Sequence, residues 1–207
     1  LVREGKQDEA LAALAALEQK HPTVIPILLL KADALMQQNK LAEAQTVIEQ
    51  IQRLPDAGAL GGMLSAVIAM RAKDPQAAAA ALKASSQSAP DSLQIRHLEG
   101  ELAAVSGDFA VAIAALGDSV RVTSLRGRAG PLLCYCVAKL AEKQGPAAAE
   151  AALAPLVTSS PDEPFVLIAH SDVLAMQTKY SASLKQLDRL EEIEKKSALP
   201  AYLKSVV

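Results

Sequence analysis

The chain has 207 residues; 51% are hydrophobic, only 2% are aromatic, and none is tryptophan. This composition favours helices packed through small side chains over a β-sandwich, which needs β-branched and aromatic residues. Lysine and arginine number 21 against 23 aspartate and glutamate residues, so no overall basic field points to nucleic acid or an anionic membrane. No apolar run reaches the roughly 18 residues that span a bilayer, and we expect no membrane insertion.

A period of 34 residues organises the chain. Ala10, Ala44, Ala78 and Ala112 follow one another at this spacing, and each lies shortly after a polar turn. Proline follows twelve residues after Ala10 and Ala78, and Pro55 lies one place short of the matching position. A fixed period of this length is typical of a helical repeat array, in which each helix pair buries its faces only against its neighbours.

The elements follow in chain order. The predicted helices are 1–22, 24–38, 41–54, 60–71, 75–86, 92–106, 108–120, 131–143, 146–156, 165–177 and 180–195, with a terminal helix at 201–207. Short polar turns favour antiparallel pairing, and Asp74 before Pro75 predicts an N-cap. The segment 121–131 is predicted to be an irregular loop, because the next equivalent alanine, Ala149, comes after 37 residues. Ser183 takes this alanine position in the last pair.

This pattern resembles the tetratricopeptide repeat (TPR), a 34-residue helix–turn–helix. Gly100, Gly107, Phe109 and Ala112 match its signature positions, as do the pairs Ala10/Pro22, Ala78/Pro90 and Ala149/Pro161. Leu28, Gly62 and Arg96 depart from it where a bulky residue is usual. The resemblance implies an all-α solenoid of five to six antiparallel pairs in a right-handed superhelix.

We expect one such solenoid over 1–207, with units at about 1–22, 23–56, 57–90, 91–124, 130–161 and 164–197. In repeat register the chain begins inside a first unit, which predicts a fragment of a longer protein.

The resemblance further implies a non-catalytic scaffold that holds a protein or peptide partner in a concave groove, as part of a larger assembly. The first helix of each pair would line this groove. The predicted groove residues are Leu29, Leu30, Asp33, Met36, Met63, Leu64, Val67, Met70, His97, Leu98, Glu101, Tyr135, Ile168 and Asp172. The set is mainly apolar, which suits an apolar helix or extended segment. Any of these residues can instead pack against a neighbouring helix.

Two other functions stay open. Residues 51–78 resemble late repeats of the large TPR subunit of the signal recognition particle, which implies a ribonucleoprotein subunit. The second function that stays open is that of an accessory subunit of an enzyme complex. The clamp for acidic chaperone tails is excluded, because the matching positions carry Leu29, Asp33, Leu64 and His97 instead of cations and amides.

Residues that commonly carry chemistry are scattered. His21, His97 and His170 lie in separate repeats and no phosphate-binding glycine loop is present, so we expect no catalytic, metal or cofactor site. Arg121, Arg126 and Arg128 cluster in the predicted loop, where they form either a site for an anionic partner or an ordinary solvated surface.

The two cysteines lie two residues apart on a predicted helix. Cys134 and Cys136 would then point about 200° apart, which prevents a bridge between them. We expect buried thiols. The lack of a disulfide framework favours a reducing, cytoplasmic location.

Overall fold

The computed structural model of the chain describes residues 7–207, apart from the side chain of Gln7. Within these residues the chain forms twelve α-helices and no β-strand. The helices are α1 (Gln7–Lys20), α2 (Ile25–Gln37), α3 (Leu41–Gln52), α4 (Gly58–Arg71), α5 (Pro75–Ser88), α6 (Leu93–Ser106), α7 (Phe109–Leu116), α8 (Thr123–Gln144), α9 (Pro146–Ser159), α10 (Pro164–Met176), α11 (Tyr180–Ile193) and α12 (Leu199–Lys204), with a 3₁₀ turn at Ser119–Arg121. The predicted helix over 1–22 is described only from Gln7, and its first six residues lie outside the described range.

The all-α repeat fold is therefore confirmed, and helix boundaries mostly agree within three residues. Asp74 caps α5 as expected, because its Oδ1 accepts the backbone N–H of Ala77 at 2.9 Å. The chain divides into two compact units, one ending at Leu98 and the other beginning at Glu99.

The first unit packs its helix pairs through alanines. Ala32 and Ala44 are buried in the α2/α3 pair, and Ala66 and Ala78 are buried in the α4/α5 pair. Around the first of these pairs lies a core that includes Leu28, Leu35, Ile48, Ile51 and Ile68. Small side chains at these positions let the two helix axes approach closely, and larger aliphatic groups fill the space on either side.

In the second unit, α7, α8, α9 and α10 share one core. Its fully buried members include Ile113, Leu116, Leu133, Cys136 and Leu153. A smaller cluster of Leu167, Leu187 and Leu190 joins α10 to α11, with Leu203 and Val207 packed against it.

Four of the turns between paired helices share one backbone conformation. Asn39, Lys73, Gly107 and Thr178 have φ between 58° and 83° and occupy the same repeat position. In each case the N–H of the next residue bonds, at 2.9 Å, to the carbonyl five residues earlier: Lys40 to Leu35, Asp74 to Ala69, Asp108 to Ala103 and Lys179 to Leu174. This is the Schellman arrangement, which satisfies carbonyls that the helix end leaves free.

The predicted loop at 121–131 is wrong. Helix α7 ends early, at Leu116, and α8 already begins at Thr123, so Pro131 lies inside a 22-residue helix. Two glycines and a proline disfavour helix locally, but Ala129 and Gly130 are buried in the helix packing. A β-carbon on Gly130 would overlap the ring of Phe165 in α10. Tertiary contacts thus override the local preference.

We predict that Thr178→Gly raises the free energy of unfolding by about 1 kcal/mol. A β-branched residue pays a penalty in the left-handed region that glycine does not. Urea unfolding of the full chain measures the change. Thr46→Gly, in the exposed face of α3, is the matched control and should lower stability by about 0.5–1 kcal/mol. A loss of stability in both variants would contradict the prediction.

We also predict that Gly130→Ala lowers stability by about 2 kcal/mol, because the added methyl group meets the Phe165 ring. Gly127→Ala lies in the same helix with open space around it and should be neutral or stabilising, by up to about 1 kcal/mol. In a Phe165→Ala background the effect of Gly130→Ala should shrink, which a double-mutant cycle by thermal unfolding measures.

Candidate partner-binding surface

The first helices of successive pairs lie next to one another within each unit. In the first unit, Arg71 near the end of α4 donates a hydrogen bond of 3.0 Å to the carbonyl of Met36 near the end of α2. Leu29, Leu64 and Val67 pack against the same core. Predicted groove residues of both α2 and α4 therefore pack against one core.

Most of these side chains keep contact with solvent. Leu30 is 54% exposed. Its neighbours Leu29, Asp33, Met63, Leu64, Val67 and Met70 are half-buried. The Asp33 carboxylate accepts a hydrogen bond from Gln37, one turn later on α2, at 2.8 Å. The first unit thus presents an apolar surface that contains one carboxylate, Asp33, which is hydrogen-bonded to the side-chain amide of Gln37.

Three predicted groove residues are not surface residues. Met36, His97 and Leu98 are 7%, 2% and 8% exposed. Their side chains pack inside the fold, and a partner could reach them only by displacing the neighbouring side chains. Sequence spacing placed them on the correct helices but could not show how much of each side chain its neighbours cover.

In the second unit, α6, α8, α10 and α12 are linked in the same way. Glu101 of α6 forms an ion pair of 2.6 Å with Arg128 of α8. The Cys134 thiol of α8 donates to the carbonyl of Phe165 in α10 at 3.5 Å. Ile168 of α10 packs, with Leu203 of α12, against the small cluster. The predicted residues Glu101, Tyr135, Ile168 and Asp172 lie on these helices.

Two of them are prominent at the surface. Tyr135 is half exposed, and its ring meets that of Phe109 edge to face, with centroids 6.1 Å apart. Asp172 is exposed, yet the surrounding protein atoms remove part of its hydration and raise the pKa of its carboxyl.

Asp172 also acts on a neighbouring thiol. Burial raises the pKa of Cys134 to about 12, and the Asp172 charge adds to the rise. Burial raises the pKa of Cys136 to about 11. Both thiols are therefore protonated and unreactive near neutral pH. The prediction of buried thiols holds for Cys136, whereas Cys134 is only half-buried.

One surface residue is absent from the set predicted from the sequence. Met176 is 51% exposed and lies one turn after Asp172 on α10. The spacing Ile168–Asp172–Met176 follows one helix face, and extending the series by four residues could have found it.

The arginine cluster is engaged within the chain. Arg126 bonds the buried Glu163 at 2.8 Å and the carbonyl of Val120 at 3.1 Å, while Arg128 pairs with Glu101. Arg121 pairs with Asp118. Desolvation of Glu163 raises its pKa, and the Arg126 charge opposes that rise. These arginines therefore tie α8 to α6 and to the start of α10, and the segment is not a free loop.

Among residues 7–207, no group of three or more histidine, cysteine or acidic side chains has a geometry that could hold a metal ion. No described helix is both long and apolar enough to cross a bilayer.

Residues 1–60 match the family model of the tetratricopeptide repeat. No curated protein matches the chain in sequence. Similar solved structures include YrrB, described as a TPR protein with an unusual peptide-binding site. The two share 14% identity with a TM-score of 0.54, over 93% of this chain and 98% of that one.

Two other solved structures are similar. The APC/C hetero-tetramer Cut9–Hcn1 gives 16% identity and a TM-score of 0.59, over 97% of this chain but 39% of that one. A TPR protein from Parabacteroides merdae gives 13% identity and a TM-score of 0.55, over 98% of this chain and 78% of that one. At such identities the likeness concerns the fold.

We predict that Asp172→Asn raises the stability of the chain at pH 7. The folded-state pKa lies above the ordinary value of 3.8, so the charged form is disfavoured by folding. The gain should stay below about 1 kcal/mol, because water still reaches the carboxylate.

The gain should shrink as pH falls towards 3.8, since the carboxyl is then protonated in folded and unfolded chains alike. Thermal unfolding from pH 7 to pH 4 measures it. Asp91→Asn, in the exposed turn before α6, removes the same charge and should change stability little. A pH-independent gain would contradict the explanation.

Proposed function

Because the chain carries a tetratricopeptide repeat match over residues 1–60 and the fold of TPR proteins, we propose that it is a non-catalytic interaction scaffold. Its first helices of each pair bind a segment of a partner protein, and this binding makes the chain part of a larger assembly. The partner segment is an apolar helix or an extended peptide.

One observation supports this proposal above the others. Leu29 and Leu30 of α2 recur as Met63 and Leu64 of α4, at the same repeat positions, and all four keep part of their surface exposed. A patch of apolar side chains that a fold leaves accessible marks an interaction site more often than isolated apolar residues do. Methionine adapts its shape to irregular partners, because its chain is unbranched and its sulfur polarisable.

Similar folds agree with such a role. YrrB is described as having an unusual peptide-binding site, and Cut9–Hcn1 as an APC/C hetero-tetramer. These descriptions concern those proteins, and they support the class of partner that we propose here without identifying it.

The ribonucleoprotein alternative has weaker support. It depended partly on Arg121, Arg126 and Arg128, and each of these now has a carboxylate partner in the chain. A phosphate backbone would have to compete with three existing ion pairs. The alternative of an accessory enzyme subunit is a special case of the scaffold, in which the partner is catalytic.

We predict that the double variant Met63→Glu/Met70→Glu lowers partner affinity at least ten-fold. Each glutamate would have to lose its hydration against an apolar partner surface, which is costly without a pairing cation. Affinity purification from the native cell extract, followed by quantitative mass spectrometry, measures recovery of the partner.

The matched control is Val111→Glu on α7, the second helix of its pair, where the side chain is 61% exposed. It should keep the partner. Equal recovery by both variants would overturn the proposed surface, provided circular dichroism shows unchanged helix content.

A further inference from the structure

Three buried side-chain oxygens in the second unit have no hydrogen-bond partner in the part of the chain that the structure describes. They are Oε1 of Glu163 and the hydroxyls of Ser119 and Ser160. The three residues are 6%, 0% and 8% exposed, respectively. Buried polar groups in folded proteins are almost always hydrogen-bonded, because burial removes the bulk water that would otherwise bond them. These oxygens therefore point to a bonding group that the neighbouring residues do not supply.

Hydrogen bonds bring the three residues to one join between helices. Arg126 of α8 donates to the other Glu163 oxygen, Oε2, at 2.8 Å. The same guanidinium donates to the carbonyl of Val120, the residue after Ser119, at 3.1 Å. The Glu163 N–H donates to the carbonyl of Ser160 at 3.1 Å, within the turn from α9 to α10. One arginine side chain thus joins the segment of Ser119 to the turn of Ser160 and Glu163.

The Glu163 carboxylate has lost more hydration than its recorded neighbours replace. Burial raises its pKa, and the Arg126 charge and the Phe165 N–H only oppose that rise. The two serine hydroxyls do not bond Oε1 or each other, since each of the three oxygens is without a partner among the described residues. A direct hydrogen bond between them is thereby excluded, and a small bridging molecule is what satisfies them.

The chemistry of the three oxygens favours water as the bridge. A carboxylate only accepts hydrogen bonds, whereas a serine hydroxyl both donates and accepts. One water can donate to Glu163 Oε1 and accept from the two hydroxyls, which gives it the number of hydrogen bonds usual for buried water.

A metal cation fits this join less well. The Arg126 guanidinium already lies beside the same carboxylate and would repel a second positive charge. Divalent ions also need several oxygen ligands, and residues 7–207 contain no group of three or more histidine, cysteine or acidic side chains that could hold one.

We propose that one buried, ordered water bridges Glu163 Oε1 to the hydroxyls of Ser119 and Ser160. This water extends the Arg126–Glu163 ion pair into a network that ties the segment after α7 and the end of α9 to the start of α10. The inference concerns a site apart from the proposed partner-binding surface and does not depend on the proposed function.

A crystal structure of the full chain, at a resolution that shows ordered water, tests the site directly. We expect a single peak of electron density at hydrogen-bond distance, about 2.5–3.0 Å, from all three oxygens. Density that reaches fewer than three of them, or none, would overturn the proposal. A crystal soaked in rubidium chloride distinguishes water from a monovalent cation: we expect no anomalous peak at the site, and a rubidium peak there overturns the assignment.

Urea unfolding of Ser119→Ala, Ser160→Ala and the double variant tests the same bridge in solution. The two hydroxyls do not bond each other, so without a shared water their effects on the unfolding equilibrium constant should multiply. With a shared water, the first substitution already weakens the bridge. The double variant should then change the constant at least about two-fold less than the product of the single effects. Simple multiplication contradicts a shared water.

Ser159→Ala is the matched control, one position earlier on α9 and exposed. Combined with Ser119→Ala, its effect should multiply, because its hydroxyl lies outside the proposed bridge. A similar shortfall in this pair would show that the coupling does not come from the water, and would also overturn the proposal.

Discussion

Close crossing of the two helices within each pair is the constraint on which the rest of the structure depends. Ala44, Ala78, Ala112 and Ala149 are all completely buried at equivalent positions. A larger side chain there would push the helices apart and detach the apolar groups that fill the core on either side. The 34-residue period follows from this requirement, because each pair needs its small residue and its tight turn at the same places.

The sequence predicted most of the fold, because close helix crossings and helix ends each require particular residues at nearby positions in the chain. It failed where the deciding contacts are distant along the chain. Gly130 meets Phe165 across 35 positions, and Arg126 meets Glu163 across 37. Neither contact can be inferred from the glycine- and proline-rich segment itself, which locally favours a loop. The sixth pair is intermediate: Ser183 replaces the expected alanine, and its buried hydroxyl is satisfied by that of Ser171 at 2.8 Å.

The candidate surface was less predictable than the fold, for a related reason. Repeat position identifies which helix faces a groove, but exposure depends on how much of a side chain its neighbours cover. His97 is buried and Leu30 is half exposed, although both occupy predicted groove positions. The sequence also does not show which charges are paired. Arg128 of α8 forms an ion pair with Glu101 of α6, whereas no ion pair is found for Asp172 of α10 among the described residues. The electrostatic character of the surface therefore emerges only from the packed structure.

The two units show that one repeat geometry can present different chemistries. Side chains on α2 and α4 make the first surface apolar, with Met63 and Met70 among them, while α10 carries one partly desolvated carboxylate, Asp172. The folding energetics alone would favour asparagine over aspartate at position 172, because a partly desolvated charge without a partner destabilises the folded chain. Residues that work against stability in this way are often found at functional sites. In this chain the helix crossings hold the fold together, and Asp172 is a position where a side chain works against the stability of that fold.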